Sequence, residues 1–203
     1  MSELTYVPTG LANLASLRAA FARLGCTLRA ATDAATVRTA ERLLLPGVGQ
    51  FGAASTALDR AGWREALRER LDRGAPTLGI CLGMQLCCER SDEAPAATGL
   101  SAVAGAVERF AAGTRCPQMG WNHVQSPVGA RFLQSGHAYF ANSYRLATAP
   151  AGWLAAQAEH GGPFVAALER GAVLLCQFHP ELSGAFGRDL LARWLAPREE
   201  IAC

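Results

Sequence analysis

The sharpest chemical signal in the chain is a cysteine at the apex of a tight turn. Thr77-Leu78-Gly79-Ile80-Cys81-Leu82-Gly83-Met84-Gln85 reads as a buried strand, a turn and the start of a helix. This is the layout of a nucleophile elbow with sulfur in place of oxygen. Gly79 and Gly83 lack the Cβ atoms that would crowd such a turn, and the helix start offers unpaired N–H groups and a partial positive charge. Both effects favour a thiolate. The N–H of Leu82 is expected to point where a tetrahedral intermediate would carry its oxyanion. A cysteine taken alone is usually a small buried hydrophobe; the glycines on both sides set Cys81 apart.

A thiol nucleophile needs a base, and the chain has four histidines. His179 lies in Gln177-Phe178-His179-Pro180-Glu181, at the end of an apolar run. Residues i and i+2 of an extended segment face the same way, and Pro180 holds φ near about −65°. Glu181 is therefore expected to orient the imidazole and stabilise its charge. His123, His137 and His160 have no carboxylate two positions on and read as surface or structural. A third segment, Leu45-Pro46-Gly47-Val48-Gly49-Gln50-Phe51-Gly52, is a strand end followed by a glycine-rich loop. Such a loop brings backbone amides close to a ligand, but it has no lysine to make it a phosphate cradle.

Short apolar runs and helical stretches alternate ahead of these segments. Leu4 to Val7 reads as a strand, and Leu14, Leu17, Phe21 and Leu24 recur at helical spacing before Gly25. A strand at about Arg42 to Leu45, an amphipathic stretch from Ala53 to Arg73, a strand from Pro76 to Ile80 and a helix from Met84 to Arg90 follow. That βαβαβα order predicts a parallel sheet with helices on both faces, its ligand site at the carboxyl ends of the strands. Beyond Ser91 the pattern changes to short strands: Val103 to Phe110, Trp121 to Gln125, Ala138 to Tyr144, Phe164 to Leu168 and Ala172 to Phe178. The last two flank Glu169-Arg170-Gly171 and predict a hairpin. A helix over about Ser183 to Leu195 precedes a polar tail ending in Cys203.

With 203 residues, half of them hydrophobic, the chain is expected to form one domain over 1–203. The formal net charge is +2 and every basic residue is arginine, which excludes a lysine nucleophile and a P-loop. A nucleic-acid footprint needs a dense basic cluster, and the arginines are spread from Arg18 to Arg198, so none is expected. Met1 to Gly10 has neither the basic nor the apolar region of a secretory leader, and the apolar runs are strand-sized, which predicts a cytoplasmic protein that crosses no membrane. Seven cysteines without a Cys-x-x-Cys pair argue for reduced thiols rather than disulfides or structural zinc.

Taken together, these residues resemble the class I, triad-type glutamine amidotransferases, and more narrowly the glutaminase subunits of imidazole glycerol phosphate synthase. Gly79 to Gln85 is similar to the cysteine elbow of that family, and Gln177 to Glu181 to its histidine and glutamate segment. The Pro46 to Gly52 loop, Met119-Gly120-Trp121-Asn122 and Tyr139-Phe140-Ala141-Asn142-Ser143-Tyr144 resemble the narrower group, over about Leu4 to Leu195. The resemblance implies a flavodoxin-like open mixed sheet with helices on both faces. It also implies a catalytic set of Cys81, His179 and Glu181, an oxyanion hole from Leu82 with Val48 and Gly49, and glutamine held by Gly47, Gln85, Ser143 and Tyr144. No cofactor or metal is implied. The implied partner is a (βα)₈ cyclase subunit that receives ammonia, faced by Pro117, Met119 and Trp121.

The chain departs from that pattern at Pro8, Gln118, Asn142 and Leu182, where the family usually carries aspartate, histidine, histidine and a basic residue. Several of these are expected near the synthase-facing surface. Two other readings fit the same residues: a paralogue feeding ammonia to a different synthase, and a non-enzymatic binding module on the same fold.

Overall fold

The computed structural model describes residues 2–10 and 13–196; Arg198 and Cys203 lie outside the described residues. The chain opens with β1 (Ser2–Tyr6), α1 (Leu14–Ala22), β2 (Cys26–Ala30), α2 (Ala34–Thr39) and β3 (Leu43–Leu45). Next come α3 (Phe51–Arg60), α4 (Arg64–Asp72), β4 (Thr77–Ile80) and α5 (Leu82–Cys87). The second half holds β5 (Arg90–Ser91), β6 (Ala106–Arg109), β7 (Gln118–Val124), β8 (Gly136–Asn142) and β9 (Tyr144–Leu146). It closes with β10 (Leu154–Glu159), β11 (Pro163–Arg170), β12 (Val173–Cys176), a 3₁₀ turn (Pro180–Leu182) and α6 (Gly184–Leu195).

Seven strands form one open sheet in the order β10-β11-β12-β4-β3-β1-β2. It is parallel from β12 to β2, while β10 and β11 run antiparallel at one edge, which makes it mixed. The continuous apolar runs of the central strands follow from burial on both faces. In β3, Leu44 joins one core while Leu43 and Leu45 join the other; in β12, Leu174 and Cys176 face one side and Val173 and Leu175 the opposite one. Helices α1 and α6 cover the first face with Leu17, Phe21, Leu190 and Trp194. Helices α3, α4 and α5 cover the second with Phe51, Leu58, Leu67 and Leu86. The hairpin expected around Glu169-Arg170-Gly171 is β11 with β12. Among the described residues no helix is long and apolar enough to cross a membrane.

The structure departs from the sequence pattern in several places. The Ala53 to Arg73 stretch is two helices, because Gly62 takes a φ of +68° that ends α3 and lets the chain turn into α4. The helix expected from Met84 to Arg90 starts at Leu82 and ends at Cys87, and Arg90–Ser91 is instead strand. Strands β2 and β10 and helix α2 carry no strong periodicity. β2 is an edge strand with little of its surface buried, and α2 spans only six residues, held by Asp33 accepting from the Thr36 N–H at 2.7 Å. The region expected as one strand from Ala138 to Tyr144 divides at Ser143, between β8 and β9.

One buried cation ties α4 to the strands that carry the site. Arg70 is fully buried, and its guanidinium donates to Thr77 Oγ1 and to the carbonyls of Val37, Arg38, Ala40, Glu41 and Pro76. These acceptors lie at the end of α2, on the connection from it to β3, and at the start of β4. Burial, with Arg73 nearby, pulls its pKa down to about 10, so the side chain remains charged at neutral pH. Arg70→Met removes the donors from several buried carbonyls at once. A loss of about 3–5 kcal/mol in urea-unfolding stability is expected; a loss within about 0.5 kcal/mol, the range of a neutral surface change, would contradict this role.

Candidate active site

Three neighbouring parallel strands, β3, β4 and β12, deliver the three chemistry-bearing segments to one end of the sheet. Cys81 follows directly on β4, and its N–H donates to the Cys176 carbonyl of β12 at 2.7 Å. It adopts φ 50° and ψ −108°, a sparsely populated conformation for a side-chain-bearing residue and the mark of a strained elbow. The turn is possible only because the next elements pack against backbone. A Cβ on Gly83 would lie 1.9 Å from the Leu45 carbonyl oxygen, and one on Gly47 would lie 2.8 Å from Leu82 Cβ. The glycine loop after β3 is thus seated directly on the elbow.

His179 follows β12 in extended conformation, anchored by its N–H to the Tyr139 carbonyl at 2.9 Å. Its Nδ1–H donates to Glu181 Oε1 at 2.9 Å, leaving Nε2 for chemistry. The route to this contact differs from the strand alternation expected from the sequence. Pro180 begins the 3₁₀ turn, closed by the Leu182 N–H to the His179 carbonyl at 3.0 Å, and the turn folds Glu181 back to the imidazole. Ser183 Oγ secures the turn by donating to the His179 carbonyl at 2.6 Å and accepting the Tyr139 N–H at 2.9 Å.

Cys81 and His179 line a pocket of about 250 Å³ together with Val48, Gly49 and Leu82 on the elbow side. Gln85, Ser143 and Tyr144 also line it, with Pro117 and Asn142 beside them. Burial alone would lower the His179 pKa, but hydrogen bonds and charge from Cys81 and Glu181 outweigh it and raise it to about 10. An imidazolium is therefore paired with the sulfur and the carboxylate at neutral pH. Cys87, Cys88 and Cys176 are fully buried. Burial pushes the Cys88 thiol up to about 12, with Glu89 adding to it, and moves Cys87 and Cys176 the same way. Buried, protonated thiols of that kind are poor nucleophiles.

Not every residue singled out in the sequence stands in the pocket. Gly47 is absent from its wall and packs instead against Leu82 and Gly83. Gln118 and Asn142, expected near the surface, are buried and directly opposite each other in the β7–β8 pair. Leu182, in contrast, is 39% exposed, as are Met119 at 65% and Trp121 at 58%. The sequence reading missed Glu93, which lines the pocket and accepts the Phe51 N–H at 2.7 Å. Its only sequence signal is an acidic pair, Asp92-Glu93, in the turn directly after β5. Among the described residues no group of three or more histidine, cysteine, aspartate or glutamate side chains is placed to hold a metal ion.

The family model for glutamine amidotransferase class-I matches residues 10–196. The chain is 43% identical over 184 residues to imidazole glycerol phosphate synthase subunit HisH of Thermus thermophilus, covering 90% of this chain and 91% of that protein. It is 37% identical over 206 residues to the protein of the same name from Deinococcus radiodurans, covering 98% and 94%. A third relative, imidazole glycerol phosphate synthase hisHF, chloroplastic, of Arabidopsis thaliana, is 36% identical over 97% of this chain, which spans 34% of that longer protein. A solved glutamine amidotransferase shares the fold, with a TM-score of 0.75, 21% identity and coverage of 94% and 96%.

Proposed function

The chain belongs to the class I glutamine amidotransferases and, within them, to the HisH subunits of imidazole glycerol phosphate synthase; from this we propose that it hydrolyses glutamine to glutamate and ammonia at Cys81 and passes the ammonia to a (βα)₈ cyclase subunit for histidine biosynthesis. The observation that carries the chemistry is the meeting of Cys81 and His179 in one pocket at the ends of adjacent strands, with Glu181 hydrogen-bonded to the far side of the imidazole.

In this reading the Cys81 thiolate attacks the carboxamide carbon of glutamine. The Leu82 N–H and an N–H of the Val48–Gly49 segment stabilise the oxyanion. His179 enters as imidazolium and gives its proton to the departing amine, so the C–N bond breaks, ammonia leaves and a γ-glutamyl thioester remains. The sulfur no longer carries negative charge at that point. One of the interactions holding the imidazole protonated is then gone, and neutral His179 takes a proton from water. The resulting hydroxide attacks the thioester, releasing glutamate and restoring the thiolate and imidazolium. Glu181 keeps Nδ1 as the donor throughout.

In this proposal Gln85, Ser143 and Tyr144, which line the pocket, hold the substrate, and the Glu93 carboxylate suits the α-ammonium of glutamine. Free ammonia is mostly protonated at neutral pH and would be lost to solvent, which favours direct transfer. Pro117 lines the pocket and leads into β7, where exposed Met119 and Trp121 offer the cyclase an apolar surface. The Arabidopsis relative, of which this chain matches about a third, fits a fused arrangement of the same two activities.

A glutamine-derived α-chloroketone tests the site. It is expected to modify a single thiol of the seven, at Cys81, with glutamine protecting. Peptide mass spectrometry finding the label on Cys87 or Cys88 would overturn the elbow as the nucleophile.

A further inference from the structure

Gln177 is fully buried at the end of β12 and belongs to no part of the acid–base set, yet its side chain touches the nucleophile. Its amide nitrogen Nε2 lies 3.8 Å from Cys81 Sγ, and its Oε1 lies 2.9 Å from Gln85 Nε2. Gln85 Nε2 also donates to the Tyr144 carbonyl at 3.2 Å. A backbone carbonyl can only accept, so the Gln85 amide must turn its NH₂ group toward Tyr144. The same NH₂ group then reaches the neighbouring amide, which must answer with its oxygen. Gln177 is left with one orientation, NH₂ toward sulfur. Its backbone is fixed as well, by its N–H on the Ala166 carbonyl at 2.9 Å.

We propose that Gln177 is a positioning residue for the nucleophile: its carboxamide, locked by Gln85, keeps an N–H on the buried side of the Cys81 sulfur while substrate approaches from the pocket. The proposal deepens the glutaminase reading and rests on it for the identity of the substrate. A donor on sulfur favours the charged form over the neutral thiol, because hydrogen bonds to an ionised acceptor are the stronger ones. It serves both halves of the reaction, holding the attacking thiolate in line and favouring its departure when the thioester is hydrolysed. Gln85 lines the substrate pocket, so a substrate contact there reaches the sulfur through two hydrogen bonds.

The titratable groups around Cys81 are His179 and Glu181 beyond β12, Cys176 on β12, and Glu93 and Tyr144 in the pocket wall. None of them is altered by an uncharged substitution at Gln177, so the sulfur's response reads the amide contact. The experiment is the pH dependence of Cys81 alkylation by iodoacetamide in the whole chain without glutamine, with the site quantified by peptide mass spectrometry. Gln177→Met keeps most of the volume and adds no charge, but removes the donor from the sulfur. The pH of half-maximal alkylation is expected to rise by about one unit or more. Gln85→Leu should also raise it, although the hydrogen bonds of Gln85 go to Gln177 and Tyr144, because the Gln177 amide is no longer locked.

A purely structural role would lower the melting temperature of either variant and leave the alkylation midpoint unmoved, which would overturn the proposal. If Gln177→Met does not fold, Gln85→Leu decides by the same midpoint. Ammonia release from glutamine by the wild-type chain with a cyclase present is scored separately. Its failure with the midpoint shift intact would remove the glutaminase reading and retain the contact, and the reverse result would do the opposite.

Discussion

Cys81→Ala is expected to lower ammonia release from glutamine by roughly 10⁴- to 10⁶-fold, while the complex still makes product from added ammonium salt. The sulfur forms the covalent bond to the acyl group, so no neighbour can substitute for it. His179 would retain Glu181 but lose the negative partner on the pocket side. The ammonia-fed reaction should survive because its chemistry belongs to the partner and uses no thiol of this chain. Both rates are read on one preparation, in the presence of the cyclase and its nucleotide substrate. Loss of the ammonia-fed reaction as well would overturn the division of labour. The structural cost should be small, since the substitution removes a single sulfur atom at the pocket wall.

Gly49→Val is expected to cut the cyclase-stimulated glutaminase rate by roughly 10²- to 10³-fold, the value of one oxyanion donor, about 2.7–4 kcal/mol. Gly49 sits at φ +98°, a backbone conformation that a β-branched residue does not adopt, and it lines the pocket next to Val48. Glycine on both sides of Val48 permits more than one orientation of the intervening peptides. Stimulation by the partner is therefore expected to act by turning an N–H of this loop toward the oxyanion. The substitution forbids that turn while leaving the exposed Met119 and Trp121 surface intact. Calorimetry of complex formation should show little change in affinity beside the large drop in rate. Equal losses in both would assign the loop to docking instead. A wild-type glutaminase that is fully active alone and indifferent to the cyclase would redirect the acceptor to a different synthase.

The parts of the site legible in the sequence are those whose meaning is local. An elbow needs a strand, a glycine, a nucleophile and another glycine within a few residues, and Gly79 to Gly83 spells that out because the motif is contiguous, although the contact that bars a Cβ on Gly83 is with Leu45. His179 and Glu181 could be paired for the same reason, although a 3₁₀ turn rather than an extended strand brings them together. The central strands were readable because burial on both faces requires unbroken apolar runs.

Tertiary structure alone decided the rest, because those features depend on contacts between residues far apart in the chain. Edge strand β2 and strand β10 take their hydrogen bonds from neighbours and need little apolar sequence of their own. Glu93 enters the pocket only because its loop folds against the start of α3. Gly47, outwardly a ligand-binding glycine, is needed for the packing of its loop on the elbow. Gln177 reads as one more polar residue in a motif until the Tyr144 carbonyl, through Gln85, fixes which end of its amide meets the sulfur. Residue types and short spacing determine which chemistry is possible here; the pairing of β12 with β4 and of β4 with β3 decides which groups meet, because a hydrogen bond is made in space and not in sequence.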